Sequence, residues 1–167
     1  MFSYFKKLIK VQRFQSTNSS LPQFTLAKLR LAAHPHARSE ALARLAKGKI
    51  EQVLVRVAEN ANTSQDVLCD LALSDSAEVR AAVADNQNTP ARALFLLAMD
   101  KDLDVRYSIA ENHNAPPAVL QLLSQDENPY VACRAVSTMK RALDFPNIAG
   151  GDRVWARQEN LRRFGAG

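Results

Sequence analysis

Glycine, cysteine and long hydrophobic runs are scarce in this chain of 167 residues. No apolar run approaches the roughly 18–20 residues that a membrane-spanning helix needs. No histidine is placed near a serine or cysteine nucleophile together with an orienting acid. The five glycines do not form a phosphate-binding loop; they are Gly48, Gly150, Gly151, Gly165 and Gly167. We therefore expect a protein that is not an enzyme and has no small-molecule substrate.

Acidic side chains are missing from the first 39 residues of the chain. Residues 1–50 carry ten Lys/Arg and one acid, Glu40, whereas residues 51–143 carry eight basic and thirteen acidic side chains. A basic arm thus precedes an acidic body. The pI near 9.5 belongs to the arm, so it is a poor argument that the body binds nucleic acid.

A repeat of 26 residues dominates what the sequence does contain. Residues 79–90 (VRAAVADNQNTP) align without a gap on residues 105–116 (VRYSIAENHNAP). The pattern extends two periods towards the N-terminus and fades after Val131. A fixed period of this length is typical of a solenoid, in which each unit buries its apolar face against its neighbours.

Each repeat is predicted to form two short helices. The first is expected over residues 78–85, with Val83 facing inward. Asn86 is expected to end it, because Asn tolerates the left-handed conformation of a helix end. The second is expected over residues 90–99, with Thr89 as its N-cap and a proline at its first position.

Three segments are expected along the chain. Residues 1–20 are predicted to be a basic amphipathic arm with a linker, and residues 21–143 a helical-repeat solenoid. Residues 144–167 are predicted to be a linker and a capping helix over residues 153–164, because the end of a repeat stack needs an atypical cap.

The motif Val-Arg-x-x-Val-Ala-x-Asn-x-Asn-Thr-Pro, followed by Leu-x-x-Leu-Ala and an acidic turn, resembles the leucine-rich repeat variant family of HEAT-like helical solenoids. The resemblance covers roughly residues 27–143 and is most specific in residues 79–123. It implies an all-α, right-handed solenoid of about four to five two-helix repeats, a bacterial source and no activity common to all members. One relative carries an iron–sulfur cluster on a cysteine-rich N-terminal segment. This N-terminus contains no cysteine, so no cofactor is expected.

Two rows of charge are candidate partner-binding residues. Glu59, Asp85 and Glu111 share one repeat position, so they form either a docking strip for a basic partner or a solvated edge. Arg80 and Arg106 form a second row, either for a partner or for intramolecular pairing with the acidic turns.

Two aromatic residues are further candidates for partner binding. Tyr107 follows the second arginine of that row. Phe95 interrupts the polar side of a second helix, where Cys69 and Gln121 stand in the neighbouring repeats. It is either extra core or an exposed anchor of the kind that dominates interfaces.

Asparagines and histidines share the turn between the two helices. The rows of Asn60, Asn86 and Asn112 are expected to hydrogen-bond the turn backbone of their own or the next repeat, or else to form a ligand-binding ladder. The histidines are too far apart along the repeats for the three or four ligands of a metal site, so no metal is expected; they are His34, His36 and His113.

The leading functional hypothesis is a protein-interaction scaffold. The alternative is nucleic-acid binding through the basic N-terminal region. The arm is also expected to contact anionic membranes, through an apolar face that runs beside four cations; these are Lys6, Lys7, Lys10 and Arg13. We expect a cytoplasmic bacterial protein, peripheral at a membrane if the arm binds one. The alternative is mitochondrial, if residues 1–15 are a presequence.

Overall fold

The computed structural model describes residues 23–144 of the chain, and their side chains as far as Arg141. This part contains nine helices and no strand. The helices are α1 (Gln23–Ala32), α2 (Ser39–Ala46), α3 (Glu51–Glu59), α4 (Gln65–Leu71), α5 (Ala77–Asp85), α6 (Ala91–Ala98), α7 (Leu103–Glu111), α8 (Pro117–Leu123) and α9 (Pro129–Asp144).

The 26-residue period divides the helices into four repeats of two, followed by α9. Repeat 1 comprises α1 and α2, repeat 2 comprises α3 and α4, repeat 3 comprises α5 and α6, and repeat 4 comprises α7 and α8. The chain divides into two compact units between Thr89 and Pro90.

Helices of the same kind pack together within each unit. In the first unit, α3 packs against both α1 and α5, and α2 packs against α4. In the second unit, α7 packs against α9, and α6 packs against α8. First helices thus stack on first helices and second helices on second, which confirms the predicted all-α repeat solenoid.

The core is built from positions that recur once per repeat. One such position is held by Val57, Val83, Ile109 and Ala135, and all four side chains are completely buried. The i, i+4 spacing of apolar residues places them on one face of each first helix. The inward direction predicted for Val83 is therefore confirmed.

The cap predicted for the second helix of repeat 3 was wrong by one residue. Helix α6 begins at Ala91, with Pro90 as an extended N-cap that makes no side-chain capping bond. The hydroxyl of Thr89 donates instead to the carbonyl oxygen of Val83, at 2.7 Å. Thr89 therefore satisfies the end of the preceding helix rather than the start of the next one.

The asparagine rows join neighbouring repeats through the backbone. Asn60 Nδ2 donates to the carbonyl oxygens of Ala32, at 2.7 Å, and His34, at 2.9 Å. Asn86 Nδ2 donates to the carbonyl oxygens of Ala58, at 2.6 Å, and Asn60, at 3.0 Å. These carbonyls lie at the end of the preceding repeat's first helix, where the helix itself supplies no donor.

The left-handed conformation predicted for Asn86 was wrong, and the equivalent asparagines share its conformation. Asn60, Asn86 and Asn112 have φ of −76°, −77° and −72° and ψ of 126°, 128° and 110°, which is extended backbone. The extended residue lets its Oδ1 accept the N–H two residues later, at 2.8 Å from Asn88 to Asn86. Asn is therefore required here for its amide, which accepts within its own turn and donates to the repeat before it.

Thr138 takes over this role after the last asparagine. It stands one period after Asn112 in the sequence, and its Oγ1 donates to the carbonyl oxygen of Ala110 at 2.6 Å. Helix α9 continues past Thr138 to Asp144 instead of ending there. The cross-repeat bond thus persists where the sequence repeat fades.

Two predicted segments fall outside the described residues. These are the N-terminal arm over residues 1–20 and the capping helix over residues 153–164, and both stay predictions. In the part of the chain that the structure describes, every helix is too short or too polar to cross a bilayer.

We expect Val83→Asp to unfold the repeats, because its side chain is completely buried. An unpaired carboxylate in that position costs about 4 kcal/mol or more. Gln87→Asp, at an exposed turn position nearby, is the control. Urea unfolding followed by circular dichroism measures both variants, and equal stability of Val83→Asp and wild type would contradict the packing described.

We also expect Asn86→Ala to lower the free energy of unfolding by about 2–4 kcal/mol, because two backbone carbonyls lose a donor. Asn114→Ala is the matched control, since Asn114 is exposed and should tolerate the change. Chemical denaturation of both variants makes the comparison. A loss of similar size in the two would show that the cross-repeat bonds do not stabilise the fold.

Candidate partner-binding surface

The predicted acidic row is partly neutralised within the chain. Glu59 Oε2 pairs with Arg56 Nη1 at 2.7 Å, and Glu111 Oε1 pairs with Arg134 Nη2 at 3.1 Å. Asp85 ends α5 and is exposed. The carboxylates of Glu59 and Glu111 thus each already face a guanidinium, which weakens the attraction of the row for a basic partner.

Arg80 is buried and bonded to the backbone of the loop before its own helix. Its Nη1 donates to the carbonyl oxygens of Ser74, at 2.8 Å, and Asp75, at 3.0 Å. Only 7 % of the residue is exposed. The guanidinium therefore ties α5 to the preceding loop.

Arg106 bridges the loops on either side of repeat 4. Its Nη1 donates to the carbonyl oxygens of Asp100, at 2.9 Å, and Lys101, at 3.4 Å. Its Nε and Nη2 donate to the two carboxylate oxygens of Asp126, at 2.8 and 3.2 Å. Nη2 also reaches Glu127 Oε1 at 3.4 Å. This fork-shaped pairing with Asp126 is the strong geometry for an arginine and a carboxylate.

The pair shifts the titration of both groups. The hydrogen bond to Asp126 raises the pKa of the Arg106 guanidinium, and it outweighs burial, which lowers it. Burial acts to raise the pKa of the Asp126 carboxyl. The hydrogen bonds from Arg106 and from the backbone N–H of Asn128, together with the charge of Arg106, nevertheless hold that pKa below its ordinary value.

Both arginines of the predicted row are thus engaged in intramolecular contacts, the alternative that the sequence left open. The partner of Arg106 is an acidic turn, as that alternative supposed, and Arg80 donates to backbone carbonyls of the loop before its helix. Tyr107, next to Arg106 in α7, is half-buried. Partner binding through these three residues stays a prediction.

Phe95 belongs to an exposed apolar surface on the second helices of the second unit. Phe95 is 39 % exposed, Leu96 44 % and Met99 69 %, and the i, i+3/i+4 spacing places all three on one side of α6 and its C-cap. Leu122, 44 % exposed, occupies the position of Leu96 one period later, on the adjoining helix α8. We call these four side chains the α6–α8 apolar face.

Sequence reasoning found one member of this face and missed the other three. The repeat itself carries the signal, because Leu96 and Leu122 stand where the first two repeats have Arg44 and Asp70. Equivalent positions of a repeat face the same way. A large apolar residue at a position that is polar in other repeats is therefore expected to be exposed to solvent.

His34 and His36 lie in the turn between α1 and α2. His34 Nδ1 accepts the backbone N–H of His36 at 3.2 Å, so these two histidines close their own turn. Over residues 23–144, no three His, Cys, Asp or Glu side chains are grouped as metal ligands. The arm cations lie outside the described residues; they are Lys6, Lys7, Lys10 and Arg13.

We expect Asp126→Asn to destabilise the protein by about 2 kcal/mol at pH 7, because a hydrogen bond to a charged group is lost. The folded-state pKa of Asp126 is lowered from an unfolded value of about 3.9. The pair therefore stabilises fully above that unfolded value, and its contribution is lost as pH falls through the folded one.

The stability difference between wild type and Asp126→Asn should therefore narrow as the pH is lowered from 7 to 3. Urea unfolding at both values measures it. Glu127→Gln is the control, since Glu127 is largely exposed and makes only a long contact with Arg106; it should change stability little at either pH. A difference for Asp126→Asn that stays constant would contradict the lowered pKa.

One comparison with known proteins places the repeat. Residues 77–102 match the family model described as leucine rich repeat variant. They span α5, α6 and the turn after them, which is one 26-residue period. No curated protein and no solved structure matches the chain. Repeats of this family are generally protein-interaction repeats. The expected resemblance is thus confirmed over residues 77–102, which resemble a leucine rich repeat variant repeat and lie within an all-helical repeat fold.

Proposed function

We propose that this protein is a non-enzymatic protein-interaction scaffold that binds a partner protein through the α6–α8 apolar face. The single observation that supports this most strongly is the exposure of Phe95, Leu96, Met99 and Leu122 on packed neighbouring helices. Contiguous apolar surface on a soluble fold marks interaction sites. The family match agrees, because such repeats generally bind proteins.

The chemistry of this face fits a protein partner better than a polyanion. Its four members are apolar, and aromatic, Leu and Met side chains supply contact area rather than charge. Arg106 in this unit is paired with Asp126, and the exposed cation of α6 itself is Arg92. An apolar partner helix or strand would remove the four side chains of the face from water favourably, whereas a phosphate backbone would gain nothing from them.

The charged rows have a secondary role in this proposal. Glu59, Asp85 and Glu111 stay candidates for partner binding, where charges direct the approach of a partner more than they add affinity. Arg80 and Arg106 hold loops that flank the repeats, so their contribution to binding is indirect.

Nucleic-acid binding stays the alternative, and one observation favours it. The part of the basic region that the structure describes exposes six cations and a single acid, Glu40; the cations are Lys28, Arg30, Arg38, Arg44, Lys47 and Lys49. A mobility-shift assay across salt concentrations tests this alternative, because phosphate contacts give a steep linear loss of log K with log salt.

The proposed location is the cytoplasm, with a peripheral membrane position if residues 1–20 bind anionic lipid. The four arm cations and the absence of acid before Glu40 support membrane contact. Mass spectrometry of the N-terminus of the native protein separates this from a mitochondrial location, since a presequence would be removed.

We expect Leu96→Asp combined with Met99→Asp to reduce recovery of a stoichiometric protein partner roughly tenfold or more, because anchor residues dominate interfaces. Chemical cross-linking and affinity capture in the native cell provide the measurement. Both side chains are exposed, so thermal stability should change little.

Gln52→Asp combined with Gln65→Asp is the matched control, since both residues are exposed and lie in the first unit, outside the α6–α8 apolar face. It adds the same charge to the chain and should leave recovery unchanged. If the Leu96 and Met99 variant recovers the same partner in the same amount as wild type, the α6–α8 apolar face is not the interface.

A further inference from the structure

An open groove of about 410 Å³ lies in the first repeat, between α1, α2 and the start of α3. Its floor is apolar and its rim is cationic. We call it the repeat-1 groove, and its principal lining residues are Leu31, Leu45 and Ile50 on the floor and Lys28, Arg44 and Lys49 on the rim.

The floor of the groove is apolar surface that other repeats bury. Leu31 is 45 % exposed, whereas its equivalents Val57, Val83 and Ile109 are completely buried. Leu45 is half-buried, whereas Leu71 of the next repeat is buried. The groove therefore offers a ligand apolar area that the repeat pattern elsewhere removes from water.

The rim is cationic and unneutralised. Lys28, Arg44 and Lys49 are all exposed, and within residues 23–141 no carboxylate pairs with any of them. Arg44 Nε contacts only the backbone carbonyl oxygen of Glu40, at 3.3 Å. The groove thus concentrates positive charge above an apolar floor.

In repeat 4, the positions equivalent to this cationic rim include carboxylates that pair with the cation. Arg106, Asp126 and Glu127 occupy, three periods later, the repeat positions of Lys28, Gly48 and Lys49 in that order. In repeat 4 the cation is held by carboxylates at 2.8 and 3.4 Å.

In repeat 1 the two acids are replaced by a glycine and a second cation. The internal ion pair of repeat 4 is therefore replaced by a cationic site that lacks its carboxylate.

We propose that the repeat-1 groove binds a segment of a partner protein that places Asp or Glu carboxylates next to an apolar side chain. The carboxylate takes the place that Asp126 occupies in repeat 4, and the apolar side chain covers Leu31. The inference rests on the proposed protein-interaction function and adds to it a second surface and the chemistry of the segment bound there.

Charge argues against the chain's own N-terminus as the occupant. Residues 1–39 contain no acid, and residues 1–20 carry four cations. Those cations would be repelled by Lys28, Arg44 and Lys49. An acidic segment from another protein is complementary both to the charge of the rim and to the apolar floor.

The test uses the full chain and a short fluorescein-labelled peptide in which leucines alternate with Asp-Glu pairs. The matched peptide has Asn and Gln in place of Asp and Glu. Fluorescence anisotropy at low and moderate salt measures binding of both peptides. Phosphatidylglycerol vesicles and a labelled single-stranded RNA are the other two ligands.

We expect the acidic peptide to bind and the amide peptide to bind at least about tenfold more weakly. Lys28→Glu combined with Lys49→Glu should weaken the acidic peptide at least tenfold, and Lys28→Arg combined with Lys49→Arg should retain binding. Lys101→Glu combined with Lys140→Glu, at exposed lysines of the other unit, is the control for net charge.

Three results would overturn the proposal. They are equal binding of the two peptides, equal loss in the control variant, and binding of vesicles or RNA without binding of the acidic peptide. Circular dichroism confirms that each variant is folded. Because the variants lie outside the α6–α8 apolar face, loss of peptide binding with the cellular partner still captured, or the reverse, separates this inference from the proposed function.

Discussion

The carbonyl oxygens at the ends of the first helices impose the constraint on which the repeats depend. A helix leaves its last carbonyls without an intrahelical donor, and in a stack of short helices such ends recur in every unit. Asn60 and Asn86 each donate two hydrogen bonds from one amide to carbonyl oxygens at the end of the first helix of the preceding repeat. A single residue type thus sets where each helix ends and how the next repeat lies against it. Thr138 keeps this bond with a hydroxyl after the asparagines stop, so the donor matters more than the residue that supplies it.

Residue type varies freely between repeats only at positions that do not contribute to the packing of one repeat on the next. Val57, Val83, Ile109 and Ala135 change only among apolar residues and are all buried. The outward position of the second helix changes from Arg44 to Asp70, Leu96 and Leu122 without altering the helix packing. A repeat fold can therefore acquire a binding surface by replacing outward residues in one or two units, since each unit contacts only its neighbours. Function is to be sought where one repeat departs from the others.

Periodicity predicted the two-helix unit, its inward valines and the repeat fold, because a 26-residue offset and an i, i+4 spacing are local patterns. It predicted the Asn86 backbone wrongly, since the usual reason for Asn at a helix end is conformational, whereas here the amide acts across repeats. The pairing of Arg106 with Asp126 joins residues twenty positions apart, which only the packing of α7 and α8 decides. The exposure of Leu31 to solvent could not be predicted from the sequence either, because Leu31 stands at a repeat position that is buried in the other repeats.

The same position of the repeat serves stability in one unit and recognition in another. In repeat 4 the Arg106 guanidinium and the Asp126 carboxylate, 11 % and 6 % exposed, neutralise each other. Such a pair is costly to break, because either partner alone would be a buried charge. In repeat 1 both acids are gone, and the cations stand exposed at the rim of an apolar groove. Lysine near water tolerates this at little cost, since its charge stays hydrated and its stem covers apolar surface. An entering carboxylate would regain the Coulomb attraction of repeat 4 while Leu31 is removed from water. The first repeat therefore keeps its cations hydrated while the site is open, and a partner's carboxylate would supply there the charge that Asp126 supplies in repeat 4.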